Sequence, residues 1–350
     1  MFPLEYPLQI IKKHKKYNPV VVDPFCGRGT TIYAARKGGL RSYGFDTSPI
    51  AVAIAKAKLA SASSGDILML ATELLETEPR NIPDSPFFQK AYSNSTLRQL
   101  CSLREGLLRL DKETDESALL RAAALGCLHG PRASDLARSG YFSNQMPRTF
   151  ASKPDYSVRF WKKKELVAPK VSVLDVIRRK IERIPDLNSP TVGSFERIRC
   201  VDARFSAPYR NIKGSILAVT SPPYYGMRTY VQDQWLRNWF LGGPDDVDYN
   251  TDIQIRHSSH DDFVRDLARV WTHLKKSATD GIDLYVRFGT IPSIKSDARQ
   301  LLRASLEESG GWKLLYTRRA RTASEGKRQA EQMKSDSSAA EEFDFHAVAV

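Results

Sequence analysis

The sequence predicts an α/β fold: a doubly wound, seven-stranded sheet interrupted by a mainly helical insert. Three observations predict it. Short β-branched runs alternate with helical patterns from Val20 to about Ala60, and the alternation resumes at Glu196. Between them, residues 61–195 show no such alternation, a stretch far longer than the roughly 2–8 residues of an ordinary connection. At the far end, Trp312 to Arg321 and Phe343 to Val350 alternate like two antiparallel strands. The expected organisation is the first part of a sheet domain over 1–60, an inserted module over 61–195 and the rest of the sheet domain over 196–350.

Phe2 to Tyr17 reads as a short helix, apolar at Leu8, Ile10 and Ile11 and solvated at Lys12, Lys13, Lys15 and Lys16, with Pro19 closing it. Val20-Val21-Val22 is a buried strand that ends in Asp23-Pro24. Phe25-Cys26-Gly27-Arg28-Gly29 then forms a tight turn, and a helix begins at Thr30. Glycine serves where the backbone takes unusual dihedrals or a ligand approaches closely. The N–H groups of such a turn and the helix N-terminus favour an electron-rich ligand. The turn lacks the Gly-Lys-Ser/Thr of a phosphate-binding loop and the third glycine of the dinucleotide spacing. Gly38-Gly39 ends the helix, Arg41 to Phe45 is a second strand with Asp46 at its tip, and Ser48-Pro49 caps a helix to about Ala60. In such sheets ligands bind at the carboxyl ends of the strands, where Asp23 and Asp46 fall. A carboxylate closing the second strand can accept hydrogen bonds from both hydroxyls of a ribose.

The insert opens with helices over Ser95 to Leu110 and Glu116 to Leu128. Its second half mixes aromatic residues with Arg, Lys, Asn and Gln, from Tyr141-Phe142 through Tyr156 to Phe160-Trp161. Eleven Lys and Arg face four Asp and Glu between Tyr141 and Arg183, which suits phosphate contacts, stacking and base-edge donors together. Asn144, Gln145 and Arg148 are the candidates for base edges, and Lys162, Lys163 and Lys164 for phosphates. Arg178-Arg179-Lys180 reads as a solvated helix face.

Glu196 to Val201 resumes the sheet, with Asp202 at a third strand tip, and Ser215 to Val219 delivers Thr220-Ser221-Pro222-Pro223-Tyr224. Gln232 to Leu241 is an amphipathic, Trp-rich helix; Asp261 to Lys275 and Ile294 to Glu308 are helices flanking a strand at Asp283 to Phe288. A net charge of +13 points to a polyanionic partner. Four scattered cysteines imply a reducing compartment and neither a disulfide framework nor a zinc site. With no signal-peptide core and no membrane-length apolar run, a cytoplasmic protein is expected. His257 to His260 and Asp245, Asp246 and Asp248 read as surface loops rather than metal sites.

Asp23-Pro24-Phe25-Cys26-Gly27-Arg28-Gly29-Thr30-Thr31, taken with Thr220-Ser221-Pro222-Pro223-Tyr224, resembles the paired motifs of site-specific DNA amino-methyltransferases, which modify cytosine N4 or adenine N6. The resemblance implies the seven-stranded sheet of S-adenosylmethionine-dependent methyltransferases, that cofactor, and double-stranded DNA as partner. It also admits a companion restriction nuclease or other defence protein in a restriction-modification system. It implies that Asp23 and Thr30 belong to the cofactor site, that Phe25, Gly27 and Gly29 line the methionine part, that Asp46 holds the ribose and that Asp202 holds the adenine amino group. Two prolines remove two N–H donors and leave carbonyls outward. Ser221 and the Pro222 carbonyl can then accept from an exocyclic amine, Pro223 fixes the turn, and Tyr224 can stack on a base drawn out of the helix. Transfer is direct in-line displacement, governed by positioning. Serine before the prolines is more typical of cytosine-N4 enzymes. Two other readings share features with the chain. One is an RNA guanine-N2 methyltransferase, which also carries Asp-Pro-Phe-Cys-Gly and the Gly226 and Arg228 positions but usually has Asp before the prolines. The other is a non-catalytic nucleic-acid-binding protein on the same fold. The departure from the common pattern is the large insert between the second and third strands.

Overall fold

The computed structural model describes residues 2–131, 133–143, 154–184, 195–226, 234–247, 255–290, 296–320 and 341–350. The chain divides into two compact units, one of Met1–Leu59, Val192–Arg228 and Ile253–Val350, the other of Ala60–Thr191 and Thr229–Asp252.

The first unit is built on a mixed seven-stranded sheet: β1 (Val20–Asp23), β2 (Ser42–Asp46), β3 (Ile198–Cys200), β4 (Ile216–Thr220), β5 (Ile282–Gly289), β6 (Trp312–Arg319) and β7 (Glu342–Ala349). Their order is β3-β2-β1-β4-β5-β7-β6, parallel through β5 and antiparallel at the last two. Every residue of β1 is buried, which a parallel strand covered on both faces requires. Side chains alternate across it. Val21 joins Leu217 and Val219 on one face, beneath α1 (Glu5–His14) and α2 (Thr30–Gly38), whose Ile10, Ile11, Ala34 and Ala35 complete that core. The next helix, α3 (Pro49–Ala57), starts as read: the Ser48 side chain accepts the Ala51 N–H and Pro49 fills the first turn. It ends three residues earlier than the sequence suggests.

The second unit is helical among its described residues: α4 (Ser64–Glu76), α5 (Pro86–Ala91), α6 (Asn94–Arg109), α7 (Asp115–Leu125), α8 (Pro154–Lys163), α9 (Val173–Ile181) and α10 (Trp235–Phe240). Ser63, Ser93, Thr114 and Ser172 cap four of these helices with their own side chains. One assignment changes here. The Trp-rich stretch expected within the 196–350 part of the sheet domain groups instead with this unit, because α10 packs on α5. Trp235 stands 4.7 Å from Phe87, and Trp239 stands 4.7 Å from Phe88, between ring centroids. Amphipathicity showed that this helix had to bury a face, but not against what.

Back in the first unit, α11 (His260–Ser277) and α12 (Ala298–Ser309) cover the other face of the sheet. Phe263, Leu267, Val270, Trp271, Leu301 and Leu302 pack there with Val20, Val22, Ile216 and Ala218. Strand order reverses between β1 and β4, and in open α/β sheets ligands bind outside the carboxyl ends of the strands at such a reversal. Among the described residues no helix is long and apolar enough to cross a membrane.

Candidate functional site

The glycine turn is shaped by its backbone. Cys26 donates its N–H to Phe45 O at 2.9 Å and Gly29 donates to Cys26 O at 2.8 Å, folding the chain back above β1 and β2. Gly29 has φ of 74°, and a Cβ there would stand 2.8 Å from the Cα and Cβ of Ala55, so no other residue fits. It is also the residue before α2 and brings no side chain to cap that helix. Thr31 Oγ1 donates to Val219 O at 3.1 Å, fastening the start of α2 to β4.

Three strand tips bring carboxylates to this edge, and the structure gives each a different environment. Asp46 is half-buried and receives the Gly27 N–H on one oxygen at 2.9 Å and the Ser48 N–H on the other at 2.8 Å. Burial raises its pKa, and these hydrogen bonds oppose the rise. Each oxygen keeps a second lone-pair direction for another donor. Asp23 is turned inward, 2 % exposed, and accepts from Phe25 N at 3.1 Å and from Thr220 Oγ1 at 2.6 Å. It therefore ties the tip of β1 to the tip of β4, rather than facing the crevice as a contact for a ligand. Asp202 is committed as well, since both of its oxygens accept from the Arg204 guanidinium. An adenine amino group would have to share those oxygens with Arg204.

Thr220 ends β4 fully buried, and the Ser-Pro-Pro-Tyr turn starts from it. Ser221 and Pro223 are half-buried and Pro222 is buried. Tyr224 is only 9 % exposed. Its hydroxyl donates to Glu342 Oε1 at 2.7 Å, and its ring stands edge-on to Phe288 with centroids 5.7 Å apart. The ring is therefore part of the turn's foundation, more enclosed than a free stacking platform. After it, Gly226 donates its N–H to His257 Nδ1 at 3.1 Å, so that ring nitrogen carries no proton in this contact. His260 begins α11 and lies 4.5 Å from the Tyr225 ring. Among the described residues no group of three metal-binding side chains occurs.

The first unit thus gathers Asp23, Phe25, Gly27, Gly29, Thr30, Asp46, Asp202 and Ser221 to Tyr224 at the carboxyl ends of β1 to β4. Lys162, Lys163 and Lys164 belong to the second unit, exposed at the end of α8 and just beyond it. Asn144, Gln145 and Arg148 lie outside the described residues. The aromatic residues expected beside them divide. Tyr156 is exposed, but Phe142 and Trp161 are core, with Trp161 stacked obliquely on Phe87 at 5.3 Å. Sequence reasoning missed Glu342, Arg204 and His257 as neighbours of the site. Only Arg204, two residues after a strand-tip carboxylate, left any local signal.

Residues 1–57 match the DNA methylase family model. The matched stretch carries α1, the glycine turn and Asp46, and it supports an amino-methyltransferase family. It ends well before Ser221. No curated protein matches the chain.

The buried Asp23 has a consequence that can be measured. Burial, with the Asp46 charge adding to it, lifts its carboxyl to about 6 against the hydrogen bonds from Thr220 and Phe25. The folded state thus holds this proton to higher pH than the unfolded chain, where an aspartate titrates near about 3.9. The stability it contributes is complete below that unfolded value and is lost as pH rises through about 6. Asp23→Asn should flatten this fall, so that melting temperatures of variant and wild type diverge between about pH 4 and about pH 6. Parallel curves across that window would mean that Asp23 is ionised and fully compensated in the fold.

Proposed function

We propose that the chain is an S-adenosylmethionine-dependent DNA methyltransferase acting on an exocyclic amino group, cytosine N4 in preference to adenine N6. The observation that carries this reading is the 2.6 Å bond between Asp23 and Thr220. It joins the glycine turn to the Ser-Pro-Pro-Tyr turn where the strand order reverses, so a donor bound at one turn lies beside an acceptor held at the other. The match of residues 1–57 to DNA methylases supports the same reading.

Features of the turn fit the cofactor. A Cβ added at Gly27 would meet nothing within 4 Å, which leaves open space beside the backbone. Asp46 has acceptor capacity beyond the Gly27 and Ser48 N–H groups it already receives. Phe25 is half-buried with its ring edge-on to Trp271 at 6.3 Å, an apolar wall for the methionine part. In this reading Asp46 holds the ribose hydroxyls, Gly27, Gly29 and Thr30 border the methionine end, and Asp202 shares its oxygens between Arg204 and the adenine amine. The bound cofactor supplies an electrophilic methyl group on a sulfonium sulfur. Ser221 Oγ and the Pro222 carbonyl accept from the amino group of an extruded base and aim its nitrogen lone pair, Pro223 holds the turn rigid, and Tyr224 borders the base. The residues accelerate the reaction by placement.

The helical unit is proposed to recognise the target, with Lys162, Lys163 and Lys164 on phosphates and Asn144, Gln145 and Arg148 on base edges. Incubation with methyl-labelled cofactor and either DNA or RNA, followed by nucleoside mass spectrometry, tests the function. N4-methylcytosine is expected, and Ser221→Ala should abolish its formation. N6-methyladenine would reassign the base, label confined to RNA guanine would reassign the enzyme, and no transfer to either would leave a binding protein.

A further inference from the structure

The antiparallel end of the sheet does more than close it. Because β7 runs against β5, the first residue of β7 lies at the same edge as the carboxyl ends of the parallel strands, with Glu342 opposite Gly289. Glu342 thereby reaches the Ser-Pro-Pro-Tyr turn from a position 118 residues further along the chain, and its Oε1 takes the Tyr224 hydroxyl at 2.7 Å. The space for this contact is built in. A Cβ at Gly289 would stand 2.6 Å from Glu341 O and 3.3 Å from the Tyr224 ring, so only glycine lets the three segments meet. The neighbouring acid on the same strand is already occupied: Asp344 receives both Nε and Nη2 of Arg287, at 2.6 and 2.8 Å. Glu342 is the carboxylate left to hold the phenol, and the Ser221 side chain is a second polar neighbour of that phenol.

We infer that Glu342 is a positioning residue for methyl transfer: through the Tyr224 hydroxyl it fixes the turn that presents Ser221 Oγ and the Pro222 carbonyl to the target amine. This rests on the proposed methyltransferase reading, since the turn needs this precision only if an amine must be aimed there. A two-proline turn has few backbone hydrogen bonds of its own with which to resist displacement. Among the described residues the Tyr224–Glu342 bond, the Asp23–Thr220 bond, the Gly226–His257 bond and the Tyr225–Thr290 bridge anchor it, and the first of these ties the Tyr224 hydroxyl to β7.

The test uses the full chain and the variants Glu342→Ala, Glu342→Gln, Tyr224→Phe and the Tyr224→Phe/Glu342→Ala pair. Single-turnover methyl transfer at saturating cofactor and DNA should fall about 10- to 100-fold in Glu342→Ala and in Tyr224→Phe, the worth of one charge-assisted hydrogen bond. The double variant should fall no further than either single one, because both remove the same bond. Glu342→Gln keeps an acceptor oxygen without the charge and should recover part of the lost rate, with cofactor affinity unchanged throughout. Amide exchange at Tyr224, Tyr225 and Gly226 should quicken in Glu342→Ala and Tyr224→Phe but not in Glu342→Gln. Wild-type rates in Glu342→Ala and Tyr224→Phe, additive losses in the pair, or a Gln variant as slow as the Ala variant would each overturn the inference. If Glu342→Ala does not fold, Tyr224→Phe and Glu342→Gln decide it alone. A wild type that methylates neither DNA nor RNA removes the functional reading instead, and unchanged exchange in the variants then removes the positioning role independently.

Discussion

Asp266→Ala is expected to destabilise the protein by about 3 kcal/mol, a large fraction of what holds a single domain folded. Asp266 lies on α11 with no exposed surface, and it bridges two arginines. It accepts from Arg204 Nη1 at 2.8 Å, and from Arg256 through its N–H at 3.1 Å and through Nη2 at 2.7 Å. Breaking a buried pair costs about 3–5 kcal/mol because a charge is left without a partner. Here the lower end applies, since Arg204 keeps Asp202 and the Arg256 side chain, 45 % exposed, can turn to water. Burial alone would raise the Asp266 pKa, but the hydrogen bonds from Arg256 and Arg204 outweigh it and the carboxyl is held below its usual range. A depressed carboxyl stabilises the fold above the unfolded value of about 3.9, and that stabilisation is lost as pH falls through the folded value. Urea unfolding should therefore show the full gap between wild type and variant at neutral pH and a narrowing gap on acidification. A gap of less than about 1 kcal/mol at neutral pH would class the bridge with exposed pairs.

The same bridge shows what the amino-acid order could and could not reveal. The run from Val20 to Thr31 was legible because each of its constraints is local: β-branched burial, a proline stop, two glycines and a helix start within twelve residues. All seven strands were legible for the same reason, since period and boundary residues lie within each strand. Partners across the fold were not. The Asp266–Arg256 contacts span ten residues and those with Arg204 span 62, and neither spacing follows from a helical or strand period. Glu342 had no local mark because its role depends on β7 lying antiparallel beside β5. Asp23 and Asp202 were recognised as strand-tip carboxylates, but a sequence cannot tell an acid that faces a crevice from one that a neighbouring Thr220 or Arg204 has already engaged. The helix Ser64–Glu76, capped by Ser63, passed unremarked within the insert, although its apolar positions recur at helical spacing.

If Asp46 holds the ribose as proposed, Asp46→Ala is expected to weaken S-adenosylmethionine binding by about two to three orders of magnitude, because two charge-assisted hydrogen bonds are each worth about 1.5–3 kcal/mol before compensation. The loss has two possible sources in this structure. Asp46 offers acceptor capacity at the crevice, and it also holds the Gly27 N–H at 2.9 Å and so helps to set the shape of the glycine turn. A cofactor analogue lacking the ribose 2′-hydroxyl separates them. If Asp46 accepts from that hydroxyl, the analogue binds wild type more weakly than the parent cofactor, while the Ala variant binds both with more nearly equal affinity. The two losses are then coupled as contacts to one group must be. If the variant instead loses the same factor against both compounds, Asp46 acts by shaping the turn, and the ribose is held elsewhere. Calorimetric titration of the parent cofactor with an unchanged dissociation constant in Asp46→Ala would remove both roles and with them the assignment of this edge as the cofactor site.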